Sequence, residues 1–187
     1  MNPVIARSRK LQRLATILFR EEYESVYAIL DGASIPGLLD KLASAREDWV
    51  CLYRGALEPS LARMAPYLVK LRRDASFTEW LIVEGWGKHW GVIAVSPAGL
   101  EALRRHFRHF LRVRDHRGAV LYFRYYDPRV LRIYLPTCNL REIKTVYGPV
   151  SRYITEDEEG QSALVFRPHP VPVMPRIEDL TSLDVTR

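Results

Sequence analysis

The chain has 187 residues, 48% of them hydrophobic and 27% charged, with a formal charge of +6. That length gives room for one domain with a real core, and the composition is that of a soluble globular protein. No apolar run approaches the roughly 18 residues needed to span a bilayer, so no membrane partner is expected. The opening "MNPVIARSRKLQRLATILFREE" lacks the long apolar stretch and small-residue cleavage site of a signal peptide, and a cytoplasmic location is the expectation. Cys51 and Cys138 match no zinc or redox spacing and read as reduced thiols. The charge is uneven: residues 101–132 hold nine Arg against Glu101, Asp115 and Asp127, whereas "EDEE" and "IEDL" make the end of the chain acidic.

In chain order, Val4, Ile5, Leu11, Leu14, Ile17 and Leu18 recur at helical spacing between Arg7, Arg9, Lys10 and Arg13. They predict an amphipathic helix to about Arg20, within an N-terminal unit of residues 1–22. "SVYAILDGA" (25–33) reads as a strand closed by Asp31-Gly32, "IPGLLDKLASAR" as a short helix, and "WVCLYRG" (49–55) as a second strand. "PSLARMAPYLVKL" supplies a brief helix and, after Pro66, a third strand. "SFTEWLIVEGWGKHW" predicts a helix from near Ser76, with Glu79 in capping-box position, ending at Gly85 or Gly87. "WGVIAVS" (90–96) is a β-branched strand. Near-continuous apolar strands alternating with helices predict a single α/β domain, a mixed sheet with helices packed on it.

The next segment, "SPAGLEALRRHFRHFLRVRD", predicts a helix with Ser96 as N-cap and Pro97 in its first position. Leu100, Leu103, Phe107, Phe110 and Leu111 form its apolar stripe, and Arg104, Arg105, Arg108 and Arg112 fall on an adjoining exposed face. "DHRG" (115–118) makes a turn and "AVLYFRYY" a strand. "DPRVLRIYL" then starts a helix with Asp127 as N-cap and Pro128 behind it, ended by Pro136. "NLREIKTVYG" is the last helix, capped by Gly148. The α/β domain is placed at 23–154. Residues 155–187 read as an acidic, proline-rich tail, loosely docked: a hairpin around Glu159-Gly160, then the extended "PHPVPVMPR".

Motifs for enzyme chemistry are thin. The chain has no P-loop, GxGxxG, GxSxG or HExxH. The glycines of "GWGKHWG" (85–91) have the wrong spacing to cradle a phosphate and read as a helix stop with Trp86 and Trp90 packed beside it. His106, His109 and His116 lack a carboxylate or Cys at ligand spacing and read as solvated members of the basic face. Neither a metal nor a cofactor is expected. Basic charge interleaved with aromatics is also what nucleic-acid stacking platforms look like. Against that alternative, "FRYY" is not the RNP arrangement and the tail is acidic. Asp127-Pro128 reads as a structural corner, and the Tyr and Arg density around it suits a protein-binding surface.

Taken together, "YAILDGA" (27–33), "APYLVKL" (65–71), "WLIVEGWGKHWGV" (80–92), "LRRHFRHFLRVRD" (103–115), "LYFRYYDPRVLRIYLP" (121–136) and "YGPV" (147–150) resemble, in order and spacing, the bacterial type VI secretion effector adaptors. The resemblance spans about residues 26–152. It implies a cytoplasmic, non-enzymatic protein that binds a toxic effector and helps load it onto the VgrG spike. On that reading Arg104, Arg105, Arg108 and Arg112 are the candidates for electrostatic docking. Trp86, Trp90, Arg124, Tyr125, Tyr126, Asp127 and Arg129 would form or support a second contact.

Overall fold

Successive side chains of a strand point to opposite faces, and in β1 (Ser25–Asp31) both sets are apolar. Val26, Ala28 and Leu30 enter one buried cluster, while Tyr27 and Ile29 enter another. β3 (Pro66–Leu71) and β4 (Gly91–Ser96) divide in the same way, Val69 and Ile93 going to the first cluster and Leu68 and Val92 to the second. Such strands need cover on both faces.

The computed structural model describes residues 3–114 and 117–181, and is a single α/β domain. With β2 (Trp49–Cys51), β7 (Arg152–Glu156), β8 (Ser162–Phe166) and β9 (Arg176–Asp179), the strands above form one sheet in the order β2-β3-β1-β4-β7-β8-β9. α1 (Pro3–Leu18), α2 (Leu38–Ser44) and α4 (Ser76–Trp80) cover one face through Leu14, Leu18, Leu38, Leu42 and Phe77. α5 (Leu100–His109), α6 (Pro128–Thr137) and α7 (Leu140–Tyr147) cover the other through Leu103, Phe107, Leu131, Leu135 and Ile143. α3 (Pro59–Met64) buries no residue. Among the described residues no helix is long and apolar enough to cross a membrane.

The sheet was expected to be mixed, but every pairing is antiparallel. The apolar texture that suggests parallel strands reflects burial on both faces, whatever the strand direction. The tail needs a larger correction. A boundary at residue 154 cuts β7, and β8 and β9 extend the same sheet beyond it. Phe166 and Val173 are buried in the second cluster. Arg20, just after α1, reaches Glu178 of β9 at 3.4 Å. The hairpin does turn at Gly160, at φ 66°.

Several helix ends also differ from expectation. α5 begins at Leu100 with Gly99 as N-cap, not Ser96. The Ser96 hydroxyl instead donates to the Pro149 carbonyl (2.6 Å) and accepts from the Ala98 N–H (3.0 Å). α5 stops at His109, and the chain then makes a small ribbon, β5 (Arg112–Arg114) against β6 (Val120–Tyr122). The strand expected over "AVLYFRYY" is thus only three residues long. Of the turn "DHRG", Asp115 and His116 lie outside the described residues. α4 has Ala75 as N-cap with no capping box, and continues as a π-helical turn, Leu81–Gly85. Asp127 and Pro128 start α6 as expected, although Pro136 sits inside the helix rather than ending it. Asn139 and Glu142 complete a capping box on α7, and Gly148 closes that helix at φ 46°.

Candidate interaction surface

The corner at residues 124–129 is built around two buried carboxylates. Asp31, at the end of β1, accepts from the Ala33 N–H (3.1 Å) and the Ser34 hydroxyl (2.7 Å), and pairs with Arg124. Asp127 accepts from the Arg129 backbone N–H at 3.0 Å and from its guanidinium at 3.0 and 2.7 Å. Arg124 lies 3.9 Å from Asp127 and so links both acids. Burial pushes the Asp127 carboxyl up, but the hydrogen bonds and charge of Arg129, with the charge of Arg124, outweigh it and hold the group below its ordinary value. The corner therefore fastens α6 to the end of β1. Arg124 and Arg129 keep one side of their guanidinium groups in solvent.

Tyr125 and Tyr126 do not present themselves to a partner. They are 0% and 4% exposed, and the Tyr125 hydroxyl donates to the Phe107 carbonyl at 3.0 Å. Their rings pack edge to face with centroids 5.6 Å apart, and Tyr125 meets Phe110 at 4.5 Å. As docking residues they are corrected to core. They support the corner from inside.

The loop 85–91 does cradle an anion, and the anion is the protein's own. Glu156 of β7, 3% exposed, accepts the backbone N–H of Gly87 (2.5 Å) and of His89 (2.6 Å). His89 Nδ1 lies 2.7 Å from the same carboxylate, close enough for an ion pair but without hydrogen-bond alignment. His89 takes φ 58° to aim its N–H inward. Across the loop Gly160 comes so close that a Cβ there would stand 2.8 Å from the Gly87 Cα. Trp86 and Trp90 are half-buried against the first cluster, and Trp90 packs on Trp80 with centroids 5.1 Å apart. They hold this loop in place.

The arginine face expected on one helix is divided. Arg104 pairs with Glu101 at 3.3 Å, and Arg105 is exposed. Arg108 turns inward and donates to the carbonyls of Leu52 (2.9 Å), Cys51 (3.0 Å) and Tyr53 (2.6 Å), tying α5 to the end of β2. Burial lowers its pKa first, and the charges of Arg104 and Arg54 lower it further. Arg112 is on the ribbon, not the helix. His106, expected in solvent, is half-buried with Nε2 2.9 Å from the Val146 carbonyl. A Cβ at Gly148 would meet its ring at 2.6 Å, so this close approach needs glycine. Both cysteines are free thiols whose pKa burial raises.

Arg108, Arg112 and Arg54 edge a groove of about 660 Å³. Leu52, Leu57 and Leu111 line it, with Leu61 of α3 and Tyr122 of β6. Tyr122 leans towards Tyr53, with ring centroids 6.2 Å apart. Sequence reasoning missed Tyr53, Arg54, Leu57, Leu61 and Met64. The available signal was "SLARM", a helix whose Leu and Met have no neighbouring element to bury them.

In this α/β domain the buried acids are engaged in structure, and exposed Leu, Tyr and Arg side chains gather beside one groove. The chain belongs to the family described as a domain of unknown function, DUF4123, whose model matches residues 26–145. No curated protein and no solved structure matches it.

Proposed function

We propose that the chain is a non-enzymatic cytoplasmic adaptor that binds a toxic effector and promotes its loading onto the VgrG spike of a type VI secretion system. The observation that carries the reading is the exposed apolar and arginine-rich surface formed by α3 and the β5–β6 ribbon. Leu61, Met64, Leu121 and Tyr122 are 44%, 56%, 49% and 68% exposed there. Solvated Leu and Tyr beside Arg54 and Arg112 suit a protein partner, because aromatic and Arg side chains anchor such interfaces. Most of the segments that resemble the effector adaptors lie inside the residues the family model matches. The buried acids Asp31, Asp127 and Glu156 each have structural partners, which gives them an architectural role.

Co-expression of the tagged protein with the products of its neighbouring genes, followed by affinity capture at moderate and high salt, tests the proposal. A stable complex with an effector, a spike protein or both is expected, weakened by salt and by Arg112→Glu. A clean monomer that carries nucleic acid at low salt would overturn it and favour a basic nucleic-acid-binding domain.

A further inference from the structure

The β5–β6 ribbon is apolar on both faces. Arg112 stands opposite Tyr122, Val113 opposite Leu121 and Arg114 opposite Val120. Directly opposed residues share a face. Arg112 and Tyr122 line the groove, so Val113 and Leu121 point the other way, at 37% and 49% exposure. A two-stranded ribbon is marginally stable alone in water, and this one leaves apolar side chains in solvent on each side. Across the groove α3 has the same character: Leu61 and Met64, three residues apart and so on one side of the helix, are both exposed. Charge is unbalanced here too. Among the described residues no carboxylate lies within ion-pair distance of Arg54, Arg108 or Arg112. Burial and the charges of Arg104 and Arg54 push the Arg108 pKa down, so added negative charge would be welcome.

We propose that this groove seats an acidic amphipathic helix of a partner polypeptide, its apolar stripe on Leu57, Leu61 and Tyr122 and its Asp or Glu side chains at Arg54 and Arg112. The inference rests on the adaptor reading for there being a partner polypeptide, and specifies the segment that binds. A small ligand could fill the groove, but would leave Met64, on the Leu61 side of α3, in water. An added strand would gain few ladder bonds, since each ribbon strand has only three residues. Nucleic acid would place phosphates against leucines, and Arg108 already uses three of its donors on backbone carbonyls. A helix with apolar residues at i, i+3, i+4 and i+7 answers both the apolar lining and the arginine rim.

The test is fluorescence anisotropy with the full chain and labelled peptides of about 18 residues, some five helical turns. One peptide flanks a leucine stripe with Glu, a second flanks the same stripe with Lys, and a third scrambles the first. A single-stranded DNA oligonucleotide completes the set. The Glu-flanked helix is expected to bind at least tenfold more tightly than the other probes. Leu61→Asp should weaken it tenfold or more. The double reversal Arg54→Glu with Arg112→Glu should do the same while gaining affinity for the Lys-flanked peptide. All three residues are exposed, so the variants should melt like the parent, which circular dichroism checks. Equal binding of acidic, basic and scrambled peptides, unchanged affinity in the variants, or binding of DNA alone would overturn the groove assignment. Failure of co-capture with effector and spike, by contrast, would remove the adaptor reading and leave the peptide result standing.

Discussion

Replacing Glu156 by Gln preserves size and removes charge at a position where only 3% of the residue is exposed. The carboxylate receives N–H donors from Gly87 at 2.5 Å and His89 at 2.6 Å, one on each oxygen. An amide has one acceptor oxygen, so its NH2 group must face one of those donors. The change loses a charge-assisted hydrogen bond, about 1.5–3 kcal/mol, and leaves a buried N–H unsatisfied, about 1–3 kcal/mol. The two losses overlap, and about 3 kcal/mol is the expected destabilisation. In a domain of this size each kcal/mol moves Tm by about 2–4 °C, so a drop of about 6–12 °C should follow. Urea unfolding at neutral pH gives the free energy, and an unchanged m-value would show that the unfolded state is not what altered. Tryptophan fluorescence is a suitable probe because Trp86 and Trp90 flank the loop. A variant within about 0.5 kcal/mol of the parent, the range of an ordinary surface substitution, would refute the reasoning. The 85–91 loop would then not be organised by Glu156.

Phe166→Ala removes a ring that is 1% exposed and belongs to the second core cluster. It should cost about 3–5 kcal/mol in the same urea assay, whereas a residue on a loosely docked arm would cost under about 1 kcal/mol. Tyr125→Phe deletes a buried hydroxyl bonded to the Phe107 carbonyl and should cost about 1 kcal/mol. It should leave effector or spike capture unchanged, and a loss of capture at parental stability would return Tyr125 to the interface. His106→Gln should flatten the pH dependence of stability. Burial lowers the folded-state pKa of His106 below 6.5, with His109 adding to the effect and the Val146 carbonyl opposing it. The unfolded chain takes up a proton near pH 6.5 while the folded one resists. This contribution is complete above that pH and is lost as pH falls through the folded pKa. Urea midpoints at pH 7, 6 and 5 should therefore fall more steeply for the parent than for the variant.

What could be read from the sequence was whatever depends on neighbours in the chain. Asp127-Pro128 announces a helix start because an N-cap acceptor and a first-turn proline act within two residues. The strands around Ile29, Leu68 and Ile93 declare themselves by being apolar on both faces. Strand direction did not show, because two-sided burial gives the same texture to either pairing. The tail was misread for a related reason: its acids and prolines describe exposed positions, while Leu164, Phe166 and Val173 pack on the body. Glu156 sat inside an acidic run, and nothing local separates a buried acid from solvated ones when its donors come from a loop 67 and 69 residues away.

The arginines show most plainly how contact divides what composition groups. Arg104, Arg105, Arg108 and Arg112 follow one another closely enough to suggest a single docking face, yet each has a different role. Arg108 satisfies three carbonyls at the end of β2, so reversing its charge would break a structural joint before it tested any partner. Arg104 is paired with its helical neighbour Glu101, and exposed i,i+3 pairs of this kind contribute only a few tenths of a kcal/mol. Arg105 and Arg112 remain as exposed charges, and only Arg112 stands beside apolar surface that water leaves unsatisfied. Charge steers a partner from a distance and is screened by salt; burial of Leu61 and Tyr122 would hold it afterwards. A grip of that form weakens with salt in its association rate far more than in its dissociation rate. A charged rim without an apolar floor would lose its hold in both.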